Sequence, residues 1–365
     1  MTRLDGIVVI GFKSIAYAMI KLRPLNVLIG ANGSGKSNFI DVFSFLRASI
    51  QGQLERYVKQ AGGANRIFHF GTKVTSKLEL QVSFDRNQCG FAMELSSDDS
   101  DGLYIDNLTF HPSGPASGKS EDLNWANVSN LPFSHQVGRQ VDRWQTYHFH
   151  NAGATSPLKT TSDVNDNRNL RTDGSNLSSF LFLLKNKHEG SYAQIQRTVQ
   201  MAAPFFEDFA LEPMALNEDK IRLEWRHAGS DSYFDASSLS DGTLRFMALS
   251  TLLLQPVSLR PPVVLLDEPE LGLHPFAITL LASMLKQASE ESQIIVATQS
   301  PVLLDHIDPK DVIVADRVNR ATTFERLDSK RLAAWLEEYS LGQLWEKNEI
   351  GGRPAVEDNG NGSLE

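Results

Sequence analysis

The chain has 365 residues, 41% of them hydrophobic and 22% charged, a balance that excludes intrinsic disorder and leaves length for one large domain or two intimate ones with a sizeable core. Its net charge of −9 removes bulk attraction to nucleic acid, so any DNA contact needs a local basic surface or a partner, and its single cysteine, Cys89, cannot close an intrachain disulfide and reads as a small buried side chain in a reducing compartment. No apolar run is long enough to span a bilayer and Met1-Thr2-Arg3-Leu4-Asp5 has no signal-peptide character, so a cytoplasmic protein without a membrane partner is expected.

In chain order, Ile7-Val8-Val9-Ile10 and Leu25-Asn26-Val27-Leu28-Ile29 read as strands, and the second runs through a glycine-rich turn into Phe39, Ile40, Phe43 and Leu46 at helical spacing. The turn, Gly30-Ala31-Asn32-Gly33-Ser34-Gly35-Lys36-Ser37, fits the phosphate-loop pattern G-x-x-x-x-G-K-[ST] in the strand, loop, helix context that the pattern requires. Backbone N–H groups from Asn32, Gly33, Ser34 and Gly35 can curl around the β- and γ-phosphates of ATP, Lys36 adds a point charge, and the Ser37 hydroxyl can ligate Mg²⁺. ATP and Mg²⁺ are therefore the expected cofactors.

Alternation over Leu78 to Phe84 and Phe91 to Leu95 predicts an antiparallel hairpin. Asn151 to Asn176 reads as a long polar loop, Leu177 to Lys187 and Tyr192 to Ala203 as helices, and Ile221, Leu223 and Trp225 as a strand. Leu239-Ser240-Asp241-Gly242-Thr243 then opens a helix with Leu244, Met247, Ala248, Thr251 and Leu252 on one face. A helix N-terminus there suits an anion, and because Lys36 already serves the phosphates of its own chain, Ser240, Asp241 and Gly242 make sense facing the γ-phosphate of another copy, two ATP molecules closing between two protomers. Taken alone, the segment also reads as a simple N-cap.

Val263-Val264-Leu265-Leu266 is a strand buried on both sides that ends in Asp267 and Glu268. The physics assigns Asp267 to the magnesium shell and Glu268 to the attacking water, with capping of the following turn as the alternative. Pro275 opens a helix through Ile278, Leu281 and Leu285, Ile294 to Ala297 is the next buried strand, and Leu332, Trp335, Leu336 and Tyr339 form the last helical pattern before a polar tail after Gly351.

The ordered set of the phosphate loop, LSDGT at Leu239 to Thr243, LLDEPELGLHP at Leu265 to Pro275 and ATQSP at Ala297 to Pro301 resembles ABC-type ATPases of the RecF/SMC/OLD lineage. Gly11-Phe12-Lys13-Ser14 through Phe39 is similar to the amino-terminal lobe of such proteins. The resemblance implies an α/β ABC-type P-loop ATPase head with an antiparallel β portion and a helical lobe insertion. It divides one 365-residue domain into a nucleotide lobe at 1–110 and 205–320, an insertion at 151–204 and a flexible tail at 351–365. It makes Leu239 to Thr243 the signature motif, Glu270 to Pro275 the loop at a homodimer seam, and Gln299 the catalytic switch position, where a histidine is more usual. It also likens Arg66 to an arginine that approaches the nucleotide, with a solvated surface arginine as the alternative.

SMC relatives carry long helical arms, and no heptad run lies between Lys36 and Asp267; OLD nucleases continue into a Toprim domain, and nothing after Pro301 has that character. The expected role is an ATPase regulating a separately encoded effector such as a nuclease, in antiphage defence or genome maintenance. A RecF-like DNA clamp is the alternative, and a transporter motor is disfavoured by the insertion. His148 and His150 offer a weak metal pair, Gln145 and Gln81 are rival candidates for a glutamine loop, and His274 either faces the seam or lies near the start of the helix opened by Pro275.

Overall fold

The computed structural model describes residues 3–85, 89–111, 138–149, 153 and 155–352, and the chain divides into two compact units, Met1–Arg143 with Asp308–Glu365, and Trp144–Ile307.

In the first unit, an antiparallel sheet runs in the order Ile15–Lys21, Leu4–Phe12, Leu78–Phe84, Cys89–Ser97, Leu103–His111. The expected hairpin is present, and its register places Leu78 opposite Leu95, Leu80 opposite Met93 and Val82 opposite Phe91, so the apolar residues share one buried face. Cys89 begins the second hairpin strand half-buried rather than fully buried, and burial pushes its thiol pKa up, away from reactivity. The helix Lys36–Ile50 buries the expected Phe39, Ile40, Phe43 and Leu46 together with Val42 and Phe45. Phe45 lies 5.4 Å from Phe12 and Phe39 lies 5.3 Å from Phe324, ring centre to ring centre. The fully buried rings of Phe12, Phe39 and Phe45 each contribute about 1.5–3 kcal/mol by burial. The strand Leu25–Ile29, buried throughout, pairs in parallel with Val312–Val318, which pairs antiparallel with Ala321–Arg326.

The second unit contains three parallel strands in the order Trp144–Tyr147, Val263–Asp267, Gln293–Thr298. The middle strand is buried except at its last residue, as its continuous apolar run predicts. The helices Leu177–Lys187, Glu189–Ala202, Asp241–Leu254 and Pro275–Ser289 belong to the same unit. None of the helices among the described residues is long and apolar enough to cross a membrane.

Three readings change. Ile221, Leu223 and Trp225 are all buried, but they do not form one strand: Asn217–Ile221 pairs with Pro213–Met214 and Ser162–Asp163, whereas Glu224–His227 pairs with Phe206–Ala210 and Tyr233–Asp235. The pairing changes sheet at Arg222 and Leu223 while the alternation continues, so sequence period alone hides the break. The pattern at Leu332 to Tyr339 is not one helix either. A short helix, Ser329–Leu332, gives way to a 3-10 turn at Trp335–Glu337, and Ser340 starts a new helix, Leu341–Glu346, through a capping box with Gln343. Trp335 is 47% exposed, so the periodic residues had no buried stripe to hold them in register. His148 lies beyond the strand Trp144–Tyr147, its N–H donating to the Thr172 carbonyl, and His150 is outside the described residues.

The polar stretch before Leu177 is organised around one side chain. Fully buried Asn176 accepts the Arg171 N–H at 2.8 Å and donates to the Asp166 and Asn169 carbonyls at 2.8 and 2.9 Å. Asn176→Ala removes three hydrogen bonds between a buried side chain and part-buried backbone groups and is expected to cost about 1–3 kcal/mol. Chemical denaturation should show a lower midpoint with hydrogen exchange rising first at residues 166–176; an unchanged midpoint contradicts this role.

Candidate functional site

Two constellations carry the chemistry expected of the motifs, one in each unit. In the first, the buried strand Leu25–Ile29 delivers the phosphate loop to the N-terminus of the helix Lys36–Ile50. Gly33 and Gly35 hold φ of 78° and 102°, left-handed values that glycine adopts without steric cost. A Cβ on Gly35 would stand 2.1 Å from Thr322 Oγ1 and 2.8 Å from Ser14 Oγ, whereas nothing lies within 4 Å of one on Gly33. Ser14 explains the crowding: its hydroxyl accepts from Asn38 Nδ2 at 2.6 Å and from Thr322 Oγ1 at 2.7 Å, and its carbonyl accepts the Thr322 N–H at 2.8 Å. The loop is thus clamped from behind by residues far apart in the chain.

Lys36 is buried and its ammonium donates to the Gly30 and Ala31 carbonyls at 2.7 and 2.9 Å. Asn32, Gly33 and Ser37 are exposed, and the Ser34 hydroxyl is buried with no hydrogen-bond partner. The Ala31 N–H donates to the Gly352 carbonyl at 2.6 Å, so Gly352, at the start of the expected tail, lies against the loop; residues 353–365 are outside the described residues. Lys13, at φ 48°, pairs with Asp41 at 2.7 Å. Arg66 is exposed and its side chain lies over Gly62.

In the second unit the acidic strand ends at Asp267, and the next residue, Glu268, has a left-handed backbone with φ 42°. For a residue with a side chain this costs about 1–2 kcal/mol. The Glu268 N–H donates to the Ala297 carbonyl at 2.8 Å, and its carboxylate accepts the side-chain amide of Gln299. Glu270 is buried; its Oε1 accepts the Thr298 hydroxyl and, at 3.3 Å, the Gln299 N–H. Burial pushes the Glu270 carboxyl above the usual carboxylate range, the charge of Glu268 adds to the rise, and the two donors oppose it. Asp267 Oδ1 is buried with no hydrogen-bond partner, the state of a carboxylate oxygen suited to a hard cation. A small cavity behind the acids is lined by Asp267, Glu268, Tyr147, Phe149 and Arg245.

In the same unit, Ser240 is the N-cap of the helix Asp241–Leu254, accepting the Thr243 N–H at 3.2 Å, and Asp241 is paired with Lys159 at 3.3 Å. Gly242 has a steric reason: a Cβ there would lie 2.3 Å from the Gly272 carbonyl, so helix end and seam loop meet backbone to backbone. His274 caps the helix Pro275–Ser289 through its ring, and Leu271 and Phe276 on either side are 50% and 51% exposed. Gln145 sits on the strand beside the acidic one, opposite Val264, while Gln81 is exposed on the antiparallel sheet. Among the described residues no group of three or more His, Cys, Asp and Glu is placed to hold a metal ion. Sequence reasoning quoted Ser14 and Glu270 within motifs without a role of their own, and it overlooked Asn38, Thr322 and Gly352, whose signals are a distant amide, a hydroxyl and a glycine pair.

Residues 25–305 match the family model described as "AAA domain, putative AbiEii toxin, Type IV TA system". Among solved structures, the chain is similar to an SmcHead bound to the C-winged helix domain of ScpA, with 16% identity, a TM-score of 0.65, and coverage of 90% of this chain and 99% of that one. It is also similar to an Smc head domain with an extended coiled coil bound to the C-terminal domain of ScpA derived from Pyrococcus furiosus, at 15% identity and TM-score 0.63 over 93% and 99% of the two chains. The SMC head domain from Thermotoga maritima gives 15% identity and TM-score 0.51 over 89% and 99%. At such identities the likeness establishes the fold, the α/β ATPase-head architecture expected from the motifs. No curated protein sequence matches significantly.

The two loop glycines should respond differently to a methyl group. Gly35→Ala is expected to lose about 3 kcal/mol or more through clash and strain together, and Gly33→Ala about 1 kcal/mol through backbone strain alone. Thermal unfolding of both variants checks this, and equal losses would mean that the Ser14 and Thr322 clamp is not rigid.

Proposed function

The chain belongs to this AAA-domain family, and from that premise we propose that it binds and hydrolyses ATP between two copies of itself and thereby controls a separately encoded effector. The observation that carries the reading is Glu268, held in a strained backbone beside Asp267 with Gln299 on its carboxylate. A carboxylate whose orientation is fixed against a conformational cost suits a group that polarises a single water.

Each residue has a stated part. The N–H groups of Asn32, Gly33, Ser34 and Gly35 bind phosphate oxygens, and Lys36 exchanges its bonds to Gly30 and Ala31 for the phosphates. Bound Mg²⁺ supplies positive charge for phosphate oxygens, and Ser37 and Asp267 are the residues to hold it; the unpartnered Asp267 oxygen fits that duty. Glu268 accepts a proton from water, while Gln299 orients the carboxylate and carries no titrating group. Ser240 and Gly242 present the capped helix end to the nucleotide of the second copy, with Asp241 charge-compensated by Lys159. Arg66 is exposed and free to approach a nucleotide, a role for it that rests on resemblance alone.

Exposed Leu271 and Phe276 support a seam between copies, because large apolar side chains beside a glycine-rich loop favour association. Two similar heads are described with a domain of ScpA bound, and the family description names a toxin of a TA system; both support a protein partner for this chain. The OLD resemblance points to a nuclease as that partner, in antiphage defence or genome maintenance. DNA binding that rises with ATP and falls with salt in the pure protein would instead favour the RecF-like clamp.

Hydrolysis and mass measurement test the core of the proposal. Wild type is expected to release phosphate only with Mg²⁺ and ATP, to stop on chelation, and to show a flat rate through about pH 6–7.5, because no histidine occupies the switch position. Glu268→Gln should retain ATP and accumulate as a dimer while its rate falls about a hundredfold or more. Unchanged hydrolysis in that variant removes Glu268 from the reaction, and a monomer with ATP held would remove the composite site.

A further inference from the structure

Glu270 has a burial that its neighbours do not repay. It is 9% exposed, its Oε1 takes the Thr298 hydroxyl and the Gln299 N–H, and its Oε2 is buried without any hydrogen-bond partner. Leaving a buried carboxyl oxygen unsatisfied destabilises a fold, because the hydration it loses is not replaced. Burial and the nearby charge of Glu268 both act against a second anion here. A side chain serving packing alone would be apolar at this position.

The geometry links this residue to the reaction centre through Gln299. Glu268 and Glu270, on either side of Pro269, grip the same residue: Glu270 accepts its backbone N–H and Glu268 accepts its side-chain amide. Thr298 strengthens the link, because its hydroxyl donates to Glu270 and accepts the Ser300 N–H at 3.0 Å, which ties down the turn that carries Gln299.

We propose that Glu270 is a positioning residue for hydrolysis, fixing the Thr298 to Ser300 turn so that the Gln299 amide stays on Glu268 and aims its carboxylate. The inference rests on the reading of Glu268 as the group that acts on water. Glu270 itself acts on neither nucleotide nor water. Its effect passes through Gln299, so its loss should change turnover and leave ATP binding intact.

A double-mutant cycle on the full chain separates this role from a structural one. Glu270→Ala is expected to lower kcat about tenfold with KM within about twofold, and Gln299→Ala to lower it by a similar factor. The double variant should be no slower than Gln299→Ala alone, because both changes break one linkage. Glu270→Gln, whose amide oxygen can accept the same two bonds, should recover most of the rate. If Glu270→Ala fails to fold, Thr298→Val removes one of the two donors and should lower kcat about threefold without changing KM.

Multiplying effects in the double variant, or a Glu270→Ala enzyme whose melting temperature drops while kcat holds, overturns the proposal. Loss of phosphate release in Glu268→Gln alongside such additivity leaves the ATPase reading standing and rejects only the role of Glu270. Hydrolysis indifferent to Glu268→Gln rejects both together.

Discussion

The hydrogen bond from the Glu268 N–H to the Ala297 carbonyl, 2.8 Å long, fixes where the acidic strand stops and in which direction its last side chains leave. It extends the parallel register in which Asp267 lies opposite Ala297, and it holds Glu268 at a φ of 42° that an isolated residue would avoid. The strain of about 1–2 kcal/mol is small beside the burial of Val263 to Leu266 and Ile294 to Ala297, which makes slippage of these strands far more costly than one unfavourable dihedral. The order of causes therefore runs from apolar strands to register, from register to strained backbone, and from strained backbone to a carboxylate of fixed orientation.

The phosphate loop follows the same logic by other means. Its glycines allow the required turn, but the turn is selected by what surrounds it: the Ser14 and Thr322 hydroxyls fill the space that a Gly35 side chain would need, and the Gly352 carbonyl takes the Ala31 N–H. Residues from both ends of the first unit thus shape one loop. In the second unit, the contact between Gly242 and the Gly272 carbonyl joins the capped helix end and the seam loop without intervening side chains. A glycine at each of these places answers a specific atom rather than a general need for flexibility.

Much of the fold was legible because the decisive signals are local. The strand, glycine loop and helix from Leu25 to Ile50, the continuous apolar strands at Val263 and Ile294, and the proline-opened helix at Pro275 can each be read from a short window. What escaped depends on partners distant in sequence. The strand pair Val312–Val318 and Ala321–Arg326 has weak alternation, the sheet change at Leu223 leaves the side-chain period intact, and Asn176 looks like any polar loop residue until its three bonds are seen. In the candidate site, motif residues were legible by type and spacing, while Glu270 and Ser14 act by contact. Contacts of that kind depend on tertiary placement and leave no periodic trace.

In the proposed dimer each nucleotide is gripped by Lys36 of one copy and sealed by Ser240 of the other. Complementation between two inactive variants measures this directly: Lys36→Ala and Ser240→Arg, each expected to be silent alone, are mixed and their ATP hydrolysis followed. In a head-to-tail pair the mixed dimer keeps one intact site, so the mixture should recover about a quarter of wild-type activity, half of the dimers being mixed and half of their sites whole. A mixture as silent as its components, under conditions where the chains demonstrably exchange, would contradict the shared site.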